Sequence, residues 1–266
     1  MKCEYCGQAQ VDGCAMGRLL NGDVCPNREA YEALRASRRV AGQYETLSPT
    51  PTRYLSAKYD SSFFGDDHAA RRSIERCYKA LSKEIKDVLA SKTRNGRMIV
   101  IKGPNGCGKT FAAYAAVSEA RKIGLSAFAI SAIDLMRLLR SSFHDNPTVS
   151  EEEIADAVEN ADLFFLDDLG YQKDTAYSLE TVMWAIDHRW KWQKCTILCL
   201  NHNYKDLINR AGKSQEMRVW LPVADRLKNS VVIEVEGTSK RVRELFEETT
   251  PAKADIPDAA ANEKKD

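Results

Sequence analysis

No apolar run in these 266 residues approaches the length of about twenty needed to cross a bilayer. The first residues carry cysteines where a secretory leader would carry an apolar stretch, which sets the expectation of a cytoplasmic protein without a membrane partner. Neither sign of charge dominates. Lys and Arg number 39 and Asp and Glu 38, for a formal net charge of +1, so any contact with nucleic acid must come from a local surface rather than a chain-wide basic field. Internal repeats are absent. The four histidines, His68, His144, His188 and His202, lack the spacing of a metal site and read as structural or surface residues. Eight cysteines without a secretory signal argue against a disulfide framework.

The cysteines are unevenly placed. Cys3, Cys6, Cys14 and Cys25 fall in the first 25 residues, and Cys3-Glu4-Tyr5-Cys6-Gly7 looks like a zinc knuckle in which a tight turn brings two thiolates to one ion. Cys14 and Cys25 would close a tetrahedral site; free thiols or another metal are the alternatives. A segment this short needs such a staple, because it cannot bury enough apolar surface alone. Cys195 and Cys199, four apart on an expected strand, share one face and read as small buried hydrophobes.

Gly103-Pro104-Asn105-Gly106-Cys107-Gly108-Lys109-Thr110 is a complete phosphate-binding loop. Glycines let successive N–H groups turn inward, and the helix that follows aims its positive end at the phosphates. Lys109 would reach the β- and γ-phosphates and Thr110 would ligate Mg²⁺. The context is right: an apolar strand, Met98 to Ile101, precedes the loop and an alanine-rich helix, Phe111 to Ile123, follows it. Such a loop implies binding of ATP or a similar nucleoside triphosphate. Cys107 within it reads as a tolerated small residue.

A second motif bears on hydrolysis. Asp162 to Gly170 reads as an apolar strand, Leu163 to Leu166, that delivers Asp167 and Asp168 at its carboxyl end, where open α/β sheets bind ligands. Asp167 is placed to hold the Mg²⁺ shell and Asp168 to orient the attacking water. The shorter reach of Asp at the second position, where many such ATPases carry Glu, predicts slow turnover, a switch more than a motor. A third strand, Thr196 to Leu200, ends in Asn201, which can contact the γ-phosphate or the water; an Asn in an ordinary turn is the alternative.

These ordered motifs, with Arg53-Tyr54, Asp134-Leu135-Met136, Leu139-Arg140-Ser141-Ser142-Phe143, His188-Arg189-Trp190, Ala224-Asp225-Arg226-Leu227 and Gly237-Thr238-Ser239-Lys240-Arg241, resemble the DnaC/DnaI-type helicase loaders and the related IstB transposition ATPases of the AAA+ class, over roughly Pro51 to Arg243. Two departures stand out: Leu200 precedes the sensor Asn, and an Asp pair replaces the commoner Asp-Glu. The resemblance implies that Asn201 is sensor 1, Arg226 an arginine finger given to a neighbouring subunit, and Arg241 a sensor-2-like residue. It also implies contact of Arg140, Phe143, Thr175 and Tyr177 with single-stranded DNA, for which stacking on an aromatic needs no strong basic patch.

The expected organisation is α/β: a cysteine-rich zinc module over 1–40 that includes a basic helix from Asn27 to Val40, a linker over 41–65, an AAA+ P-loop domain over 66–246 with a parallel sheet sandwiched by helices, and a disordered tail over 247–266. An amphipathic helix, Asp66 to Ala90, leads into the core through Ile74, Tyr78, Leu81, Ile85 and Val88. By resemblance the function is an ATP-dependent helicase loader whose N-terminal module grips a hexameric replicative helicase and whose ATPase domain self-associates on single-stranded DNA. A transposition helper acting on a transposase and duplex DNA keeps the ATPase and changes the partner. A small-molecule kinase is disfavoured, because no lid or substrate pocket is legible.

Overall fold

The computed structural model describes residues 40, 42–59, 67–90, 98–144, 146–170, 175–200, 220–228 and 230–236. The cysteine segment, Asn201, Arg241 and the tail lie outside the described residues.

Apart from one exposed strand at the sheet edge, the strands are short apolar runs buried on both faces, the signature of a parallel sheet covered by helices. They are β1 (Met98–Lys102), β2 (Ala127–Ser131), β3 (Leu163–Leu169), β4 (Cys195–Leu200) and β5 (Val231–Glu234). All pair in parallel, in the order β2-β3-β4-β1-β5. Consequently β4 lies between β1, which leads into the phosphate loop, and β3, which carries the aspartates, and their carboxyl ends reach one edge. The sequence reading missed β5. Its apolar run, Val231-Val232-Ile233, is only three residues long, and it lies largely exposed at the sheet edge.

Helices cover both faces. On one side α1 (His68–Ala90) and α2 (Lys109–Lys122) bury Ile74, Cys77, Leu81 and Ile85 against Ala113, Ala116, Val117 and Phe165. Glu119 of α2 ties the pair together by accepting from Tyr78 at 3.1 Å and Ser82 at 3.0 Å. On the other side α3 (Ala132–Ser141), α4 (Glu151–Asn160), α5 (Ala176–Lys191) and α6 (Trp220–Lys228) pack Leu135, Ile154, Val158, Leu179, Val182 and Leu227 over Phe128 and Phe164. Ser150 and Thr175 begin α4 and α5 with capping boxes.

Arg189 of α5 is fully buried, and every contact it makes is to neutral oxygens or a ring. It donates to Thr196 Oγ1 at 2.7 Å and to the carbonyls of Val158, Ala161 and Cys195 at 2.7, 3.0 and 2.6 Å, with its guanidinium over the Phe164 ring. It therefore serves the unpaired carbonyls at the end of α4 and ties that end to β4.

Where it is described, the stretch expected to be a linker packs on the core. Residues 42–47 are helical, Tyr44 is buried and donates to the Asp156 carboxylate at 2.8 Å, and Tyr54 stacks on Tyr114 with centroids 4.6 Å apart. These aromatic anchors hold the described part of the stretch to the core in spite of its proline and serine.

Candidate nucleotide-binding site

The phosphate loop leaves β1 at Lys102 and closes into α2 at Lys109. Two of its glycines are forced. A Cβ at Gly103 would lie 2.2 Å from the carbonyl oxygen of Val235, just past β5, so the loop can sit against that segment only without a side chain. Gly108, the N-cap of α2, has φ 96°, a conformation costly for residues with a Cβ. Lys109 is buried to 4% exposure, and its ammonium donates to the carbonyls of Gly103 and Pro104, both at 2.8 Å. The cation is thus held at the mouth of the loop, where phosphate oxygens would meet it. Cys107 is buried and burial pushes its thiol pKa up, against the pull of Lys109; it behaves as the small packed residue expected.

Across the loop, Thr110 Oγ1 donates to Asp167 Oδ1 at 3.2 Å. Asp167 ends the unbroken buried run of β3. Burial first, then the neighbouring Asp168 charge, push its pKa up to about 6, against hydrogen bonds from the Asp168 backbone, Thr110 and Cys199. A carboxylate held this reluctantly charged gains most from a cation. The hydroxyl and carboxylate oxygens converge as a hard divalent ion requires, so Thr110 and Asp167 fit Mg²⁺ shared with the phosphates of a bound nucleotide.

Asp168 has φ 53°, in the left-handed region, although it is not glycine. The cause lies in the sheet. Leu166 pairs with Leu198 but Leu169 pairs with Leu200, so β3 spends one residue more than β4 over this step. Such a bulge turns a side chain away from its normal face, and strain of this kind collects at functional sites. The arrangement can hold a triphosphate, neutralise it with Lys109 and a cation, and present Asp168 to a water.

Of the other expected site residues, Arg140, Phe143 and Tyr177 come together. Arg140 lies 5.8 Å over the Tyr177 ring, and Phe143, 60% exposed, meets it edge-on at 6.4 Å. The Thr175 hydroxyl is engaged as the N-cap of α5, accepting from the Ser178 N–H at 3.2 Å. Arg226 sits inside the last turn of α6. Its charge is engaged within its own chain: its Nε donates to Asp187 Oδ1 at 2.7 Å, and Nη2 pairs with the same oxygen. Sequence reasoning missed Asp187, the bulge at Asp168 and the buried Arg189. Only the last had a signal, its place in His188-Arg189-Trp190. Among the described residues no group of three or more His, Cys, Asp or Glu is arranged for a metal, and no helix is long and apolar enough to cross a membrane.

Comparison with known proteins agrees with this geometry. The replicative helicase loader DnaC of Buchnera aphidicola (subsp. Acyrthosiphon pisum) is 22% identical over 188 residues, 71% of this chain and 70% of that one. The replicative helicase loader DnaC of Escherichia coli K12 is 26% identical over 144 residues, 54% of this chain and 56% of that one, so the match spans about half its length. A crystal structure of DnaI covers 75% of this chain and 100% of its own, with a TM-score of 0.57 at 18% identity, a likeness of fold. The model of the IstB-like ATP binding proteins matches residues 35–247, most of the sequence. The chain belongs to the IstB-like ATP-binding protein family and is a P-loop ATPase of the AAA+ class.

Proposed function

We propose that this ATPase loads a replicative DNA helicase onto single-stranded DNA, with hydrolysis acting as a slow switch. The observation that carries the reading is the cluster of Arg140, Phe143 and Tyr177, an exposed aromatic beside a cation on the same core as the nucleotide site. Bases of any sequence can stack on such a platform, which suits a protein that must engage a strand without reading it. The similar proteins named as replicative helicase loaders support the choice of partner.

In this reading Cys3, Cys6, Cys14 and Cys25 hold one zinc ion, and the module over 1–40 grips the hexameric helicase. Asn201 and Arg241 sense the γ-phosphate, and Arg226 is the finger that completes the site of the next subunit, so ATP promotes self-association on the strand. The resemblance to IstB transposition ATPases leaves a second reading, a transposition helper that acts on a transposase and duplex DNA. The two separate on DNA type and partner. The full chain with ATP should retain single-stranded DNA and a replicative helicase on a column; retention of duplex DNA and a transposase instead would establish the second reading.

A further inference from the structure

The guanidinium of Arg226 is already occupied within its own chain. Nε and Nη2 both bind Asp187, Nη1 donates to the Pro222 carbonyl at 3.0 Å, and the group lies 5.3 Å over the Trp190 ring. Asp187 and Arg226 side chains are only 17% and 18% exposed, so water screens the pair weakly. Asp187 also takes Lys191 at 2.6 Å. Burial works against ionising Asp187, but hydrogen bonds and charge from Lys191 and Arg226 outweigh it and hold its carboxyl below the usual range. The carboxyl end of α5 exposes Trp190 and, just past it, Trp192, at 42% and 66%, and the first turn of α6 exposes Leu221 at 49%. Lys191 ends α5 and Lys228 ends α6.

We propose that Asp187 and Trp190 form a latch that parks Arg226 on its own chain, and that a second copy presenting bound ATP to this face must take the guanidinium from Asp187. The inference rests on the reading of Arg226 as a finger. Its occupant is argued from charge: the nucleotide edge of another copy brings Asp168 and, when loaded, a triphosphate, and these anions suit helix ends on which Lys191, Arg226 and Lys228 outnumber Asp187 and Asp225. The apolar margin of this face is Trp190, Trp192 and Leu221, which contact with that copy would bury. Asp187 is then a positioning residue that sets how readily neighbouring sites are completed. Exchange of one anionic partner for another leaves Arg226 with a counter-charge, so the step costs the Asp187 and Pro222 hydrogen bonds and the Trp190 contact rather than an unpaired charge.

The test compares Asp187→Asn, Arg226→Ala and the parent by ATP hydrolysis as a function of protein concentration, with indole fluorescence as a second readout. Asp187→Asn keeps the shape but weakens the pair, and should lower the protein concentration for half-maximal activity roughly tenfold, equivalent to about 1.4 kcal/mol. ATP-dependent assembly of the parent should change the fluorescence of Trp190 as the cation leaves its ring, a change absent from Trp190→Phe. An unchanged or higher midpoint for Asp187→Asn, with Arg226→Ala inactive in the concentration-dependent step, overturns the latch and spares the finger. Full concentration-dependent activity in Arg226→Ala overturns both. Should Asp187→Asn melt well below the parent, Asp187→Glu, which restores the charge one methylene further out, must bring the midpoint back toward the parent value; failure to do so also overturns the latch.

Discussion

Thr110 and Asp167 are 57 residues apart in the chain, yet Thr110 Oγ1 donates to Asp167 Oδ1 at 3.2 Å. One ends the phosphate loop and the other ends the unbroken buried run of β3, and the sheet order sets their strands on either side of β4. The contact joins the two residues that fit Mg²⁺, so a cation that bound one would position the other. It is why the loop and the aspartate strand act as one unit, although neither touches the other in sequence.

The strain at Asp168 separates stability from catalysis. Asp168→Asn tolerates φ 53° and should fold like the parent, bind ATP and hydrolyse it at least a hundredfold more slowly. Asp168→Gly should melt no lower than the parent, because it relieves the left-handed conformation, while Asp168→Val should lose about 1–2 kcal/mol. Calorimetry and phosphate release on the three variants check this. Parent-level turnover by Asp168→Asn would remove the residue from the water-orienting role.

Asp167 gives a pH dependence whose sign follows from its raised pKa. A carboxyl at about 6 in the folded protein and near 3.8 when unfolded favours folding only when protonated. Its contribution is present below about pH 4, is lost as pH rises through 6, and costs at most about 3 kcal/mol by pH 8 in chelator. Asp167→Asn should therefore raise the melting temperature at pH 8 without Mg²⁺ and flatten the profile between pH 4 and 6. Identical profiles for variant and parent, measured by thermal melting in chelator, would contradict the assignment.

The buried Arg189 makes a purely structural forecast. Arg189→Ala strands Thr196 and the carbonyls of Val158, Ala161 and Cys195 and opens a cavity beside Phe164, for a loss of about 3–5 kcal/mol. Arg189→Lys reaches only some of these acceptors and should recover less than half of the loss. Denaturant titration of both variants is the measurement; a Lys variant as stable as the parent would show that the charge alone matters.

The phosphate loop was legible in the sequence because its chemistry demands fixed residues at fixed spacing, and so were the strands at Met98 to Ile101, Leu163 to Leu166 and Thr196 to Leu200, whose runs are apolar on both faces. Other features arise only from pairing. The bulge at Asp168 is a property of the register between β3 and β4, and no residue of either strand announces it. Likewise β5 shows in the sequence only as four residues, mostly exposed, yet its end fixes Gly103 against Val235. Asp187 and Arg226 are 39 residues apart on different helices, so a motif reading saw the arginine and missed its partner.

Zinc in the N-terminal module is tested by elemental analysis of protein purified without added metal. About one zinc per chain is expected, and Cys3→Ser with Cys6→Ser should lose it together with helicase binding, while ATP affinity stays within about twofold. A metal-free protein that still binds the helicase would contradict the role given to Cys3, Cys6, Cys14 and Cys25.

The most direct measurement is transfer of a purified replicative helicase from solution to a closed single-stranded DNA circle, followed by its unwinding of an annealed strand. The full chain with ATP and Mg²⁺ is expected to raise helicase loading at least tenfold over helicase alone. Lys109→Ala, which removes the cation held at Gly103 and Pro104, should weaken ATP binding about a hundredfold and abolish the gain. Helicase loading unchanged by the parent protein, or equally raised by Lys109→Ala, would contradict an ATP-dependent loader.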